Sequence, residues 1–173
     1  MNRKKLNRLV YAALFASLVC VGTMIIHIPT PTNGYVHLGD GLVLLAGFML
    51  DPLFGAMAAG IGSMLADIFS GYTSYALATF IIKAAVALVA HFLFKVISRK
   101  NPKLRMLGVT VGGIAAEILM IAGYFIFEST VLGYGLGAVA SIAGNAVQGF
   151  SGIILGAIFT ELLYKLNISK RLN

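Results

Sequence analysis

ALATFIIKAAVALVAHFLFKVI, residues Ala76 to Ile97, decides the fold. Only Lys83 and His91 break the apolar run before Lys95. Coiled as a helix at 1.5 Å per residue, the run is long enough to cross a hydrocarbon layer about 30 Å thick. Comparable runs recur along most of the 173-residue chain, which is 59% hydrophobic and 11% charged, with a mean hydropathy of +0.92. A soluble domain carries about a quarter charged residues. Lipid is therefore the solvent, and in lipid the spans must be helices, which satisfy their own backbone hydrogen bonds. The expected fold is an all-α membrane protein, a compact bundle of six transmembrane helices with both termini cytoplasmic.

Working outward, the six spans are Leu9 to Ile28, His37 to Leu50, Leu53 to Phe69, Ala76 to Ile97, Leu107 to Phe127 and Leu136 to Leu163. The second is short, with about a dozen residues between Asp40 and the Asp51-Pro52 turn; a tilted helix, a start inside the preceding loop or a re-entrant hairpin would each fit. Charge supports six crossings. They put the basic N-terminus (1–8: Arg3, Lys4, Lys5, Arg8), the basic loop (98–106, with Arg99, Lys100, Lys103 and Arg105, next to Lys95) and the tail (164–173: Lys165, Lys170, Arg171) on one side. Every basic residue but Lys83 then faces the cytoplasm. The N-terminus mimics a signal peptide, but the run is long and Pro29-Thr30-Pro31-Thr32 offers no cleavage site, so a retained first helix is expected. The whole chain, 1–173, reads as a single membrane domain. On the outer side, 27–39 forms a Pro/Thr/Asn/Gly loop long enough to serve as a lid.

The net charge of +7 does not point to nucleic acid, because the basic residues cluster beside spans rather than along a groove-reading element. Cys20 lies inside the first span and reads as a small packed hydrophobe. There is no G-x-x-x-x-G-K-[ST] and therefore no P-loop, no H-E-x-x-H, and His27, His37 and His91 are too scattered for a metal set. Catalytic residues, metal and cofactors are therefore not expected.

Small residues recur at helical spacing: Ala12, Ala16 and Cys20 in the first span; Gly55, Ala59, Ser63, Asp67 and Gly71 in and after the third; Gly152 and Gly156 in the sixth. Such stripes let helices approach closely in lipid, where no hydrophobic force drives them together. Polar residues inside spans are rarer and say more. Lys83, Asp67 and Asp40 can meet in one layer, either as an ion pair in the bundle or as a site for a polar ligand group. Glu117, Tyr124 and Glu128 share one face of the fifth span, and Ser141, Asn145, Gln148 and Gly152 one face of the sixth. Two polar faces at similar depth suit a hydrated pocket, and Asn and Gln offer donors and acceptors to a heterocycle; an interhelical hydrogen-bond network would use the same residues. His37, beside the loop and Asp40, joins the candidates. Tyr35, Tyr72, Tyr75, Phe80 and Tyr124 can stack a planar ring or form an interfacial belt.

The segments Val36-His37-Leu38-Gly39-Asp40, Asp51-Pro52-Leu53-Phe54-Gly55-Ala56, Gly62-Ser63-Met64-Leu65-Ala66-Asp67, Ser70-Gly71-Tyr72 and Phe80-Ile81-Ile82-Lys83 resemble the S components of energy-coupling factor (ECF) transporters, in the branch of riboflavin, pyridoxine and hydroxymethylpyrimidine carriers. The resemblance implies a subunit of the bacterial plasma membrane that captures a micronutrient in its outer half. It then topples while docked on an energy-coupling transmembrane subunit driven by two ATPases. By position it places the ligand against Lys83, Tyr124, Glu128, Asn145 and Gln148, with Ser141, Asp40, His37 and Asp67 as further candidates, and Ala12-x-x-x-Ala16 on the coupling subunit. Pyridoxine- or hydroxymethylpyrimidine-like rings are favoured, and flavin or queuosine-precursor rings also fit. The rivals are a stand-alone facilitator or channel and an intramembrane enzyme using Glu117 or Asp67 as a base. The missing nucleotide motif, and too few spans for an inverted-repeat carrier, favour a binder energised by partners.

Overall fold

A computed structural model describes residues 3–30, 34–99 and 101–168. Pro31, Thr32, Lys100, Lys170 and Arg171, and the side chains of Lys4 and His27, lie outside the described residues. Six α-helices dominate: α1 (Arg3–Ile25), α2 (Asp40–Met49), α3 (Pro52–Phe69), α4 (Ala76–Ser98), α5 (Arg105–Ile126) and α6 (Val139–Lys165). Five are long and apolar enough to cross a membrane; α2 is not.

The first loop departs from the expectation of a plain loop. Prolines cannot continue a helix, and the residue before each is pushed to extended backbone. α1 accordingly stops at Ile25, and β1 (His27–Pro29) pairs antiparallel with β2 (Tyr35–His37). Ile28 faces Val36 and Pro29 faces Tyr35 across the ribbon, and the Thr30 N–H donates to Gly34 O at 2.9 Å near its turn. At the opposite end, Asp51 caps α3 with Pro52 in its first turn, where a fixed φ and a missing N–H cost nothing. Arg8 Nε lies 3.0 Å from Asp51 Oδ2, so α2 ends level with the basic start of α1.

The short second helix has a packing explanation. Its ten residues rise only about 15 Å, and nine of them are buried. It touches all five other helices and, after Asp40 at its start, is apolar all round, as a helix with no solvent face must be. Val43, Leu44, Phe48 and Met49 form the centre of the core with Val19, Val86, Val109 and Met120. The long helices surround this axis and turn Leu14, Leu77, Val96, Ile118 and Phe150 outward, the pattern of a lipid-facing surface. Close approach to α2 requires glycine at two places. A Cβ on Gly47 would fall 2.6 Å from the Ala87 carbonyl of α4, and one on Gly152 of α6 would fall 2.8 Å from Asp40 Cβ. Gly152 and Gly156 thus pack α6 on α2.

Candidate functional site

Under the ribbon, at the end of the bundle away from the basic residues, lies a polar cavity. The ribbon supplies Tyr35 and His37, the end of α3 Asp67, the start of α4 Tyr75 and Thr79, α5 Tyr124, the following turn Glu128, and α6 Ser141, Asn145 and Gln148. The spacing of 141, 145 and 148 keeps the α6 residues on one face. Glu128, four residues after Tyr124 and on the same face, lies in a π-helical turn, Phe127–Val131, that follows α5; such turns are frequent at functional sites. The cavity has about 30 Å³ of free volume, enough for one or two waters.

Hydrogen bonds hold the ribbon down. Tyr35 donates its hydroxyl to Asp67 Oδ1 at 2.6 Å, and burial together with the neighbouring Asp67 carboxylate pushes the Tyr35 pKa up, so the phenol stays a donor. The His37 backbone N–H donates to Gln148 Oε1 at 2.9 Å. Deeper in the wall, Tyr75 donates to Glu128 Oε1 at 3.1 Å, and Tyr124 donates to Thr79 Oγ1 at 3.1 Å.

Beneath the cavity, Lys83 pairs with Asp40 Oδ1, both side chains being fully buried. Gln148 Nε2 donates to Asp40 Oδ2 at 2.8 Å. One amide therefore joins the ribbon to the ion pair, with its orientation fixed at both ends: the oxygen meets an N–H and the nitrogen meets a carboxylate. Lys83 Nζ also lies 5.5 Å from the Tyr124 ring centre, within cation–π range.

Of the nine residues the sequence nominates for ligand binding, His37, Asp67, Tyr124, Glu128, Ser141, Asn145 and Gln148 line the cavity, and Lys83 and Asp40 do not. Lys83 takes Asp40 as its partner and sits one layer below. Glu117 is buried against Gly149 and Gly152 of α6, also off the cavity wall. His91 receives a packing role, with Nδ1 2.9 Å from Gly47 O. Thr79 was missed as a site residue; its place one turn before Lys83, on the same face of α4, is the signal that would have found it.

Ala12 departs from its expected position. It is only 7% exposed, and the neighbouring Ala16 carbonyl packs against Gly62 of α3. The small residues on the outward face of α1 are Ala13 and Ser17, because a step of one residue rotates a helical position by about 100°.

An apolar helical bundle with a lidded polar cavity at one end defines a membrane-embedded small-molecule binder. More specifically, the family model of the ECF-type riboflavin transporter S component matches residues 3–165, and the chain belongs to that family. Its members are multi-pass plasma-membrane proteins that act as substrate-binding subunits for vitamin uptake, together with an energy-coupling transmembrane subunit and ATPases; it is not an enzyme family. A Pyrococcus woesei protein described only as uncharacterized, in a gap 3'region, is 37% identical over 148 residues, covering 85% of this chain and 95% of that protein. The thiamine precursor transporter HmpT of Lactococcus lactis subsp. cremoris (strain MG1363) is 22% identical over 174 residues, covering 97% of this chain and 94% of HmpT. The solved S component of a bacterial ECF transporter shares the fold, with a TM-score of 0.68 at 21% identity over 94% of this chain and 98% of that one.

Proposed function

We propose that this subunit captures a small heteroaromatic vitamin precursor, pyridoxine- or hydroxymethylpyrimidine-like, in the cavity under the β1–β2 ribbon, for ATP-driven uptake by its partner subunits. The supporting observation is the lining: two carboxyl groups, hydroxyls, amides and the His37 imidazole, with no lysine or arginine among the described residues. Such a wall accepts hydrogen bonds from ring-bound amino and hydroxyl groups and repels phosphate esters. The likeness to HmpT, a thiamine precursor transporter, points the same way. Riboflavin, which the family description names, and queuosine-precursor rings stand second, because the likeness to HmpT speaks for the smaller ring.

The test begins with the purified chain in detergent. Mass spectrometry after denaturation identifies the small molecule it carries, and titration with hydroxymethylpyrimidine and pyridoxine measures capture. Stoichiometric binding, no uptake into liposomes by the chain alone, and uptake once coupling subunit and ATPases are added are the expected results. Uptake by the chain alone would make it a facilitator instead.

The same reading treats 1–173 as one domain that crosses six times with the basic end cytoplasmic, the second crossing starting at His37 and running through α2. Segment 27–39 is the lid, and 98–106 and 164–173 are the cytoplasmic loop and tail. Docking on the coupling subunit falls on the outward face of α1. Substituting Ala13→Leu with Ser17→Leu should abolish co-purification with the coupling subunit and leave ligand affinity unchanged. Ala12→Leu should instead lower thermal stability by overpacking the α1–α3 contact, at a cost of about 1–3 kcal/mol. Intact assembly of the Ala13/Ser17 pair variant would move the docking face elsewhere.

A further inference from the structure

A second cavity, of about 280 Å³, opens at the basic end of the bundle. Its walls include Phe94 and Lys95 of α4, Arg99 just after that helix, Pro102 of the following turn, Arg105 at the start of α5 and Tyr164 near the end of α6. Nothing in ligand capture uses it. Arg105 is held in place: its Nη2 donates to Glu161 Oε2 at 2.9 Å, and its guanidinium carbon lies 4.2 Å from the centre of the Tyr164 ring. Its Nε is buried and makes no hydrogen bond. Lys95 and Arg99 have no ion-pair partner among the described residues.

A guanidinium fixed by stacking and one carboxylate presents its remaining N–H groups in a set geometry suited to phosphate oxygens, and two unpaired cations beside it supply the charge. The amino end of α5 adds to that attraction. The carboxyl end of α4 opposes it, but a helix end carries only about half a charge against the full charge of each side chain. Next to the cavity, Phe92 and Val96 of α4 are 57% and 72% exposed, an apolar flank that a free anion would not use. Basic pockets between helix ends at the headgroup level are typical sites for acidic lipids.

We propose that this cavity binds the phosphodiester headgroup of one anionic membrane lipid, whose acyl chains lie along Phe92 and Val96. The lipid ties together the ends of α4, α5 and α6, the side of the molecule remote from the ribbon.

Native mass spectrometry and thermal unfolding of the detergent-purified chain test this, with phosphatidylglycerol, phosphatidylcholine and inorganic phosphate as separate additions. One phosphatidylglycerol retained per chain is expected, with an unfolding midpoint several degrees above that in phosphatidylcholine and no shift with phosphate. The double variant Lys95→Ala/Arg99→Ala, at two exposed positions, should weaken phosphatidylglycerol binding by about tenfold or more and leave hydroxymethylpyrimidine or pyridoxine capture at the other end as in the wild type. Equal stabilisation by both lipids, an undiminished phosphatidylglycerol shift in the double variant, or a shift reproduced by phosphate alone would each overturn the lipid site.

Discussion

Replacing Lys83 by methionine should destabilise the protein by about 3–5 kcal/mol, the usual cost of stranding one member of a buried ion pair. Asp40 has no exposed surface, and the Gln148 amide that donates to it does not replace the charge of the ammonium. Methionine preserves most of the lysine stem, so loss of packing contributes little. The double variant Lys83→Met/Asp40→Leu should recover most of the loss, since a well-packed apolar pair often matches or exceeds a buried ion pair in stability. Denaturant unfolding in detergent measures both variants, with ligand titration of the folded fraction alongside. A Lys83→Met protein that unfolds like the wild type but no longer binds ligand would return Lys83 to the binding site.

Asp67→Asn is expected to weaken ligand capture by about 10- to 100-fold, because hydrogen bonds to charged groups contribute about 1.5–3 kcal/mol. The substitution is nearly isosteric, and an amide oxygen still accepts the Tyr35 hydroxyl, so the ribbon keeps its latch and the fold its stability. Glu128→Gln should act in the same direction through the second carboxyl of the wall. Isothermal titration with hydroxymethylpyrimidine and with pyridoxine reads both variants. If both bind as tightly as the wild type, the carboxyl groups do not touch the ligand. Binding that becomes tighter for a phosphorylated analogue alone would confirm that they act as an electrostatic filter.

Much of this site was legible before any coordinates. Helical spacing alone placed Ser141, Asn145 and Gln148 on one face and put Tyr124 and Glu128 near them, because in lipid a polar face must turn inward. That Lys83 could meet Asp40 or Asp67 was recognisable for the same reason, but which acid the lysine takes depends on how far α2 rises, and spacing says nothing of that. α2 itself was hard to read because an all-apolar helix ten residues long is defined by what surrounds it rather than by periodicity. The ribbon was concealed by its proline-rich composition, which reads as loop even where Ile28 and Val36 pair. α1 misled in azimuth: Ala12, Ala13, Ala16 and Ser17 are all small, so residue size could not tell which pair faces α3 and which faces outward.

The helix that blurred the count of crossings also settles what the resting subunit can conduct. Below Lys83 and Asp40 the axis of the bundle is filled by Leu44, Phe48, Met49 and Leu50, each with 2% of its surface exposed or less. Such packing leaves little room for water along the axis, so liposomes carrying the chain alone are expected to keep an imposed ion gradient. If the proposed function holds, cargo under the ribbon finds no way onward through this packing, and the end of the molecule that holds it would have to change sides to release it.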